Sequence, residues 1–275
     1  MFDAHYRLYQ SCFAALPVER DVFRQRLGLD DGTHMLERHA DSQLTAFAAV
    51  RGDGLLMLCV DPSQQGRGLG SGLLAEAEAL ARSVGHDRVV LGHGGGRYLM
   101  QGVPDVADKA FFEHRGYQAT WTSVDMALQL ARFSLNTLPG YPYGPCQLRL
   151  ADHADGACIR AVEQVDPSWV PFYQQASALA LAEADGQIAS FIILAKDGMP
   201  FAPSFPGCVA GLGCLGTVPA LRSRGIGLTL AAYATDVLRR EGFDHSYLGY
   251  TWLEQWYGRL GYRTFRSFWM GEKAL

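Results

Sequence analysis

The stretch "QGRGLG", Gln65–Gly70, decides how this chain is read. It follows an apolar run, "LLMLCVDP" (Leu55–Pro62), and opens "GSGLLAEAEALARSVG" (Gly70–Gly85). That segment has apolar residues at helical spacing and ends near a glycine, as a C-cap would. A strand that turns through glycines into a helix leaves main-chain N–H groups unpaired at the helix mouth. The helix dipole adds positive potential there, so the turn suits an anion such as phosphate. Glycine allows positive φ and a close approach of backbone to ligand, and Arg67 offers a charged contact.

The arrangement is written twice. Gly68 placed over Gly225, an offset of 157 residues, puts Pro62 on Pro219, Gln65 on Arg222, Arg67 on Arg224, Gly70 on Gly227 and Leu73 on Leu230. The second helix reads "GLTLAAYATDVLRREG" (Gly227–Gly242). Downstream, "AFFEHRGY" (Ala110–Tyr117) matches "QWYGRLGY" (Gln255–Tyr262) at an offset of 145, so the first half carries twelve additional residues, placed within the thirteen of Gly92–Pro104. Two matched blocks in one order predict two copies of one α/β domain, 1–133 and 146–275, with a Pro- and Gly-rich linker at 134–145. The second copy opens with a short strand, "QLRLAD", and a helix near "HADGACIRAVEQV". No such strand precedes "DAHYRLYQSCFAAL", so the first copy lacks its opening strand or borrows one. Hairpins are expected over 45–60 and 179–194.

Composition narrows the function. A net charge of −4 argues against general nucleic-acid binding. No apolar run is long enough for a membrane span, and the first residues do not read as a secretory signal. The six cysteines are scattered, with no C-x-x-C pair and no zinc spacing, which fits a reducing cytoplasm. No metal is expected. Asp152, His153 and Asp155 are metal-like by type, but they also suit the cap of the following helix.

Two familiar phosphate loops fit poorly. A Walker loop needs a lysine that is absent, and a dinucleotide loop needs another glycine spacing and an acid after the next strand. The pattern Gln/Arg-x-x-Gly-x-Gly/Ala fits both "QGRGLG" and "RSRGIG" (Arg222–Gly227). With "WYGRLGY" downstream, the chain resembles the GNAT superfamily, the GCN5-related N-acyltransferases, in a tandem arrangement like that of mycothiol synthases. The resemblance spans both halves. It implies two mixed α/β domains, each a twisted, mostly antiparallel sheet flanked by helices, with a cleft where two central strands splay.

The resemblance also implies a co-substrate, acetyl-CoA or another acyl-CoA, and no metal. Its diphosphate would lie on the loops Gln65, Gly66, Arg67, Gly68, Leu69, Gly70, Ser71 and Arg222, Ser223, Arg224, Gly225, Ile226, Gly227. Its pantetheine arm would run along Leu58, Cys59, Val60 and Leu215, Gly216, Thr217. The implied reaction is acyl transfer to an amine, a small molecule in preference to a nucleic acid or a membrane, by a cytoplasmic monomer or homodimer.

A tyrosine four residues before the glycine of the downstream turn often supplies a proton in this superfamily. Tyr257 holds that place in the second copy and Phe112 in the first, so the second copy is the better catalytic candidate. The opposing reading of Tyr257 is a core aromatic with its hydroxyl on a carbonyl. Glu183 and Glu254 are candidate bases or surface carboxylates. The asparagine that many relatives carry before this helix is missing from "YTWLEQWYG". His93, Gly94, Gly95 and Gly96 suit a substrate mouth or a surface loop. Trp169, Phe172 and Tyr173 in "DPSWVPFYQQ" suit an acceptor lid or core packing. A coenzyme A-binding or sensing protein without turnover is the alternative from another class.

Overall fold

The computed structural model describes residues 2–94, 98–135 and 146–275. Most of the expected linker and Gly95–Arg97 of the additional segment lie outside the described residues. Two compact units form. The first comprises Met1–Val124, Pro200–Ser204 and Arg266–Leu275, the second Asp125–Met199 and Phe205–Phe265.

The first copy supplies α1 (Phe2–Cys12), α2 (Arg20–Leu27), β1 (His34–Ala40), β2 (Gln43–Arg51), β3 (Gly54–Val60), α3 (Leu69–Ser83), β4 (Arg88–Leu91), β5 (Val103–Pro104), α4 (Ala110–Glu113) and β6 (Gln118–Gln129). The second supplies β7 (Gln147–Ala151), α5 (Gly156–Val165), α6 (Val170–Gln175), β8 (Leu179–Ala184), β9 (Gln187–Ala195), β10 (Val209–Thr217), α7 (Ile226–Arg240), β11 (His245–Thr251), α8 (Glu254–Gly258) and β12 (Arg263–Ala274). Both expected hairpins form, as β2–β3 and β8–β9.

The terminal strands are exchanged. In unit 1 the sheet runs β1-β2-β3-β4-β12, with β5 beside β12. In unit 2 it runs β6-β11-β10-β9-β8-β7. From Asp125 onward β6 belongs to unit 2, and from Arg266 onward β12 belongs to unit 1. The pairs β1–β2, β2–β3, β4–β12, β5–β12, β7–β8, β8–β9 and β9–β10 are antiparallel, and β3–β4 and β10–β11 are parallel. Among the described residues of unit 1 no strand lies beyond β1, so the first copy lacks a counterpart of β7.

Central strands buried on both faces need apolar residues throughout. Ala46 to Val50 on β2 are all buried. Ala46, Ala48 and Val50 meet Leu73, Leu74 and Ala77 of α3. Phe47 points the other way and takes the edge of His5 from α1 at 5.1 Å. In unit 2, α5 and α6 cover the sheet through Cys158, Val162 and Tyr173 against Leu179, Leu181 and Phe191.

The last residues of the chain are fixed to α3 by charge. Lys273 Nζ donates to both carboxylate oxygens of Glu78 at 2.9 Å, and the Tyr117 hydroxyl donates to Glu78 Oε1 at 3.3 Å. Their side chains retain 25% and 10% exposure for Lys273 and Glu78, so the pair is largely desolvated. Removing one member strands the other charge, a cost of up to about 3 kcal/mol for a pair of this burial. Lys273→Met is therefore expected to lower unfolding stability by about 2 kcal/mol in urea titration. Adding Glu78→Leu should recover part of the loss, and a single variant as stable as the parent would contradict this role.

Candidate active site

In unit 1, β3 and β4 pair in parallel only at Gly54–Val90 and Leu55–Leu91. The last rung is Gly92 N–H to Leu55 O, 2.8 Å. Beyond it the strands part, and β3 continues to Val60. The gap opens a cavity of about 570 Å³, walled by β3 from Leu55, the turn and first residues of α3, Met100, Gly102 to Pro104, and Phe111, Phe112 and Arg115 of the α4 region. Of the residues expected on the ligand, Leu58, Val60, Gln65, Gly66, Gly68, Leu69, Gly70 and Ser71 line it. Cys59 is buried on the other side of the strand, where desolvation pushes its thiol pKa up. Cys12 donates to Val60 O at 3.3 Å.

The turn has the geometry of an anion cradle. Gly66 and Gly68 have φ of +74° and +84°. Gly68 caps α3 with no side-chain hydrogen bond, and the first intrahelical bond found is Gly72 N–H to Gly68 O. The amides of Leu69, Gly70 and Ser71 therefore remain available to a ligand at the positive end of the helix. A Cβ on Gly68 would meet nothing within 4 Å, so its constraint is conformational. Gly70 is constrained by space: a Cβ would lie 3.4 Å from Phe111 and Val60.

Unit 2 repeats the design with different side chains. The β10–β11 pairing stops at Gly211–Tyr247. The β9–β10 register then shifts between Gly213 and Gly216, where Cys214 has a φ of +49°. A bulge takes its extra residue out of the ladder. The Tyr173 hydroxyl reaches into this kink and donates to Cys214 O at 2.8 Å. Ser223, at φ +63°, stands where unit 1 has Gly66, and Gly225, at +78°, caps α7. Ile226 is buried, and Gly227 packs against Thr217 and Trp256 as Gly70 packs against Val60 and Phe111.

Three motif side chains have local partners. Gln65 Nε2 donates to Val60 O at 3.2 Å, and Arg222 Nε donates to Thr217 O at 3.0 Å. The first motif position thus ties each turn back to the end of its strand. Arg224 donates to Asp185 Oδ2 at 2.6 Å and holds that carboxyl below its usual range. Arg67 is exposed, with no carboxylate partner among the described residues.

Tyr257 is buried, edge-on to Trp256 at 4.7 Å and 6.1 Å from Tyr262. Burial pushes its pKa well above 10, with Tyr262 and Cys214 adding to the effect. No hydrogen-bond partner for its hydroxyl is found among the described residues, so the alternative role against a carbonyl is not realised here. Phe112 instead packs edge-on to Phe111 and Tyr117. Glu183 pairs with Arg149 at 2.5 Å and Glu254 accepts from Thr264 at 2.5 Å, both on the surface. Asp155 caps α5 through Cys158 N–H, and Asp152 pairs with His153 in the open. Burial lowers the pKa of His93, and Gly94 packs on Gly54. Trp169 is partly buried against the α5 core, Phe172 is exposed, and Tyr173 is core. Among the described residues no group of three His, Cys, Asp or Glu is placed to hold a metal, and no helix is long and apolar enough to cross a membrane.

Arg115 was not marked by the sequence pattern. It faces Ser71, which lies 44 positions away along the chain. The available signal was its place four residues after Phe111 in a repeated block whose second copy has Leu260 there.

Comparison with known proteins agrees with this architecture. A family model described as an acetyltransferase (GNAT) domain matches residues 31–119, and one described as the acetyltransferase (GNAT) family matches 149–262. No curated protein sequence matches. Among solved structures, a GCN5-related glucosamine N-acetyltransferase region of a fungal multi-domain GH3 β-N-acetylglucosaminidase is similar over 98% of this chain, with TM-score 0.83 and 23% identity; the chain covers 36% of that protein. A GCN5-related N-acetyltransferase from Sphaerobacter thermophilus has TM-score 0.72 at 22% identity, covering 98% of this chain and 91% of its own. A tandem GNAT protein from the clavulanic acid biosynthesis pathway has TM-score 0.70 at 14%, covering 98% and 94%. At these identities the likeness speaks for the fold. The chain belongs to the GNAT acetyltransferase superfamily and carries two GNAT domains in tandem.

Because nothing touches a Cβ at position 68, Gly68→Ala isolates the cost of positive φ. It is expected to reduce stability by about 1 kcal/mol in urea unfolding. An unchanged midpoint would show that the turn does not hold this conformation.

Proposed function

We propose that the chain transfers an acyl group, acetyl first, from acyl-coenzyme A to the amine of a small-molecule acceptor, with unit 2 as the catalytic half. The observation that carries this is Tyr257: a buried side chain near Cys214 of the β10 kink, its pKa raised by burial, with no protein partner for its hydroxyl among the described residues. An unprotonated amine attacks the thioester carbonyl, main-chain N–H groups released by the β10 kink meet the charge that develops on oxygen, and the thiolate leaves. Tyr257 is assigned the proton that the leaving sulfur takes up, and the proton lost by the attacking nitrogen passes to water, from which the phenol is restored. Acetyl-CoA is a co-substrate on this reading, turnover takes place in the cytoplasm, and no metal takes part. Neither surface carboxylate, Glu183 or Glu254, is assigned as base. The fungal relative is described as acting on glucosamine, so amino sugars head the acceptor panel.

A second reading is supported by Phe112. Unit 1 has a formed cleft and no phenol in it, as a domain that holds acyl-coenzyme A without turning it over would. Thiol release from acetyl-CoA with an amine panel separates the two, since binding without release favours the second.

Tyr257→Phe is expected to lower kcat about 100-fold while the Kd for coenzyme A stays within about twofold. Phe112→Tyr should leave kcat unchanged. The raised pKa of Tyr257 keeps the phenol protonated until well above pH 10, so its ionisation should not reduce kcat between pH 7 and 9. A Tyr257→Phe variant with parental kcat would end the assignment.

A further inference from the structure

We propose that Arg115 is a phosphate ligand of the unit 1 cleft, sharing the diphosphate of coenzyme A with the amides of Leu69–Ser71, and that it makes unit 1 the tighter of two coenzyme sites. The inference rests on the acyl-coenzyme A reading above and adds to it which half grips the carrier.

Arg115 lies just beyond α4 and lines the cavity. Its guanidinium carbon sits 3.9 Å from the centre of the Phe111 ring. Nη1 donates to Phe111 O and Nη2 to Ser71 Oγ, each at 2.6 Å. Ser71 is the third residue of α3. The fork is therefore held at the helix mouth where the loop amides emerge.

These contacts engage two of the five N–H groups of a guanidinium. No carboxylate pairs with Arg115 among the described residues. The carboxylate that shares the cavity, Asp108, accepts from Ala110 N–H at 2.9 Å. Because Ser71 Oγ accepts from Arg115, its own proton is free to donate to an anion. A cation fixed by stacking and by two hydrogen bonds, with donors to spare, loses little freedom when it meets a phosphate.

Unit 2 lacks both polar side chains. Leu260 stands at the place of Arg115 and Leu228 at that of Ser71. Arg224 is engaged by Asp185 at 2.6 Å, so a phosphate there competes with a carboxylate. Arg67, its counterpart in unit 1, meets no such competitor among the described residues.

Calorimetric titration of the full chain tests this, with coenzyme A, 3′-dephospho-coenzyme A and pantetheine as probes. For Arg115→Leu, which copies unit 2, the tightest class of sites is expected to weaken about 10- to 100-fold toward both nucleotide-bearing probes. Pantetheine binding should not change. Arg115→Lys should fall between the two, because it keeps the charge and loses the fork, and it decides the question if the leucine variant does not fold. An unmoved tightest class in either folded variant overturns the proposal. So does a loss that disappears with the dephospho probe, which would put Arg115 on the 3′-phosphate. If the parent chain binds no coenzyme at all, the acyl-coenzyme A reading falls as well, a result distinct from binding that ignores Arg115.

Discussion

The constraint on which both sites depend is a set of unsatisfied main-chain N–H groups at the mouths of α3 and α7. Each helix begins at a glycine in the left-handed region with no side-chain cap. A helix start normally gains stability from a capping oxygen. Leaving it uncapped twice, each time at the open end of a strand splay, keeps donors available for an outside anion. The other local features hold this arrangement. Gln65 and Arg222 tie the turn to the strand, and Gly70 and Gly227 let the following aromatic helix close against it.

The copies share that frame and differ in what surrounds it. Unit 1 surrounds its helix mouth with fixed cationic and hydroxyl donors and has Phe112 at the place of Tyr257. Unit 2 pairs Arg224 with Asp185 and keeps Tyr257. The exchanged strands β6 and β12 mean that neither unit is made from one copy alone. Glu78 and Lys273 show how unit 1 holds its borrowed strand.

The glycine turns, the duplication, the hairpins and the missing first strand were legible because each is a local pattern: spacing, periodicity or punctuation. The strand exchange was not, because β6 and β12 read alike wherever they pair. Gln65 and Arg222 stood out as polar motif residues, yet a carbonyl five residues back is invisible in the one-letter code. The Arg224–Asp185 pair and the Arg115–Ser71 contact each join positions about 40 apart through the fold. Tyr257 was marked by position, while the lack of a partner for its hydroxyl emerged only from packing.

Amide hydrogen exchange with and without acetyl-CoA reads the central nitrogens directly. The account predicts slowed exchange at Leu69–Ser71 and at Ile226–Leu228, with pantetheine giving none. Unchanged exchange at both helix mouths under saturating acetyl-CoA would contradict it.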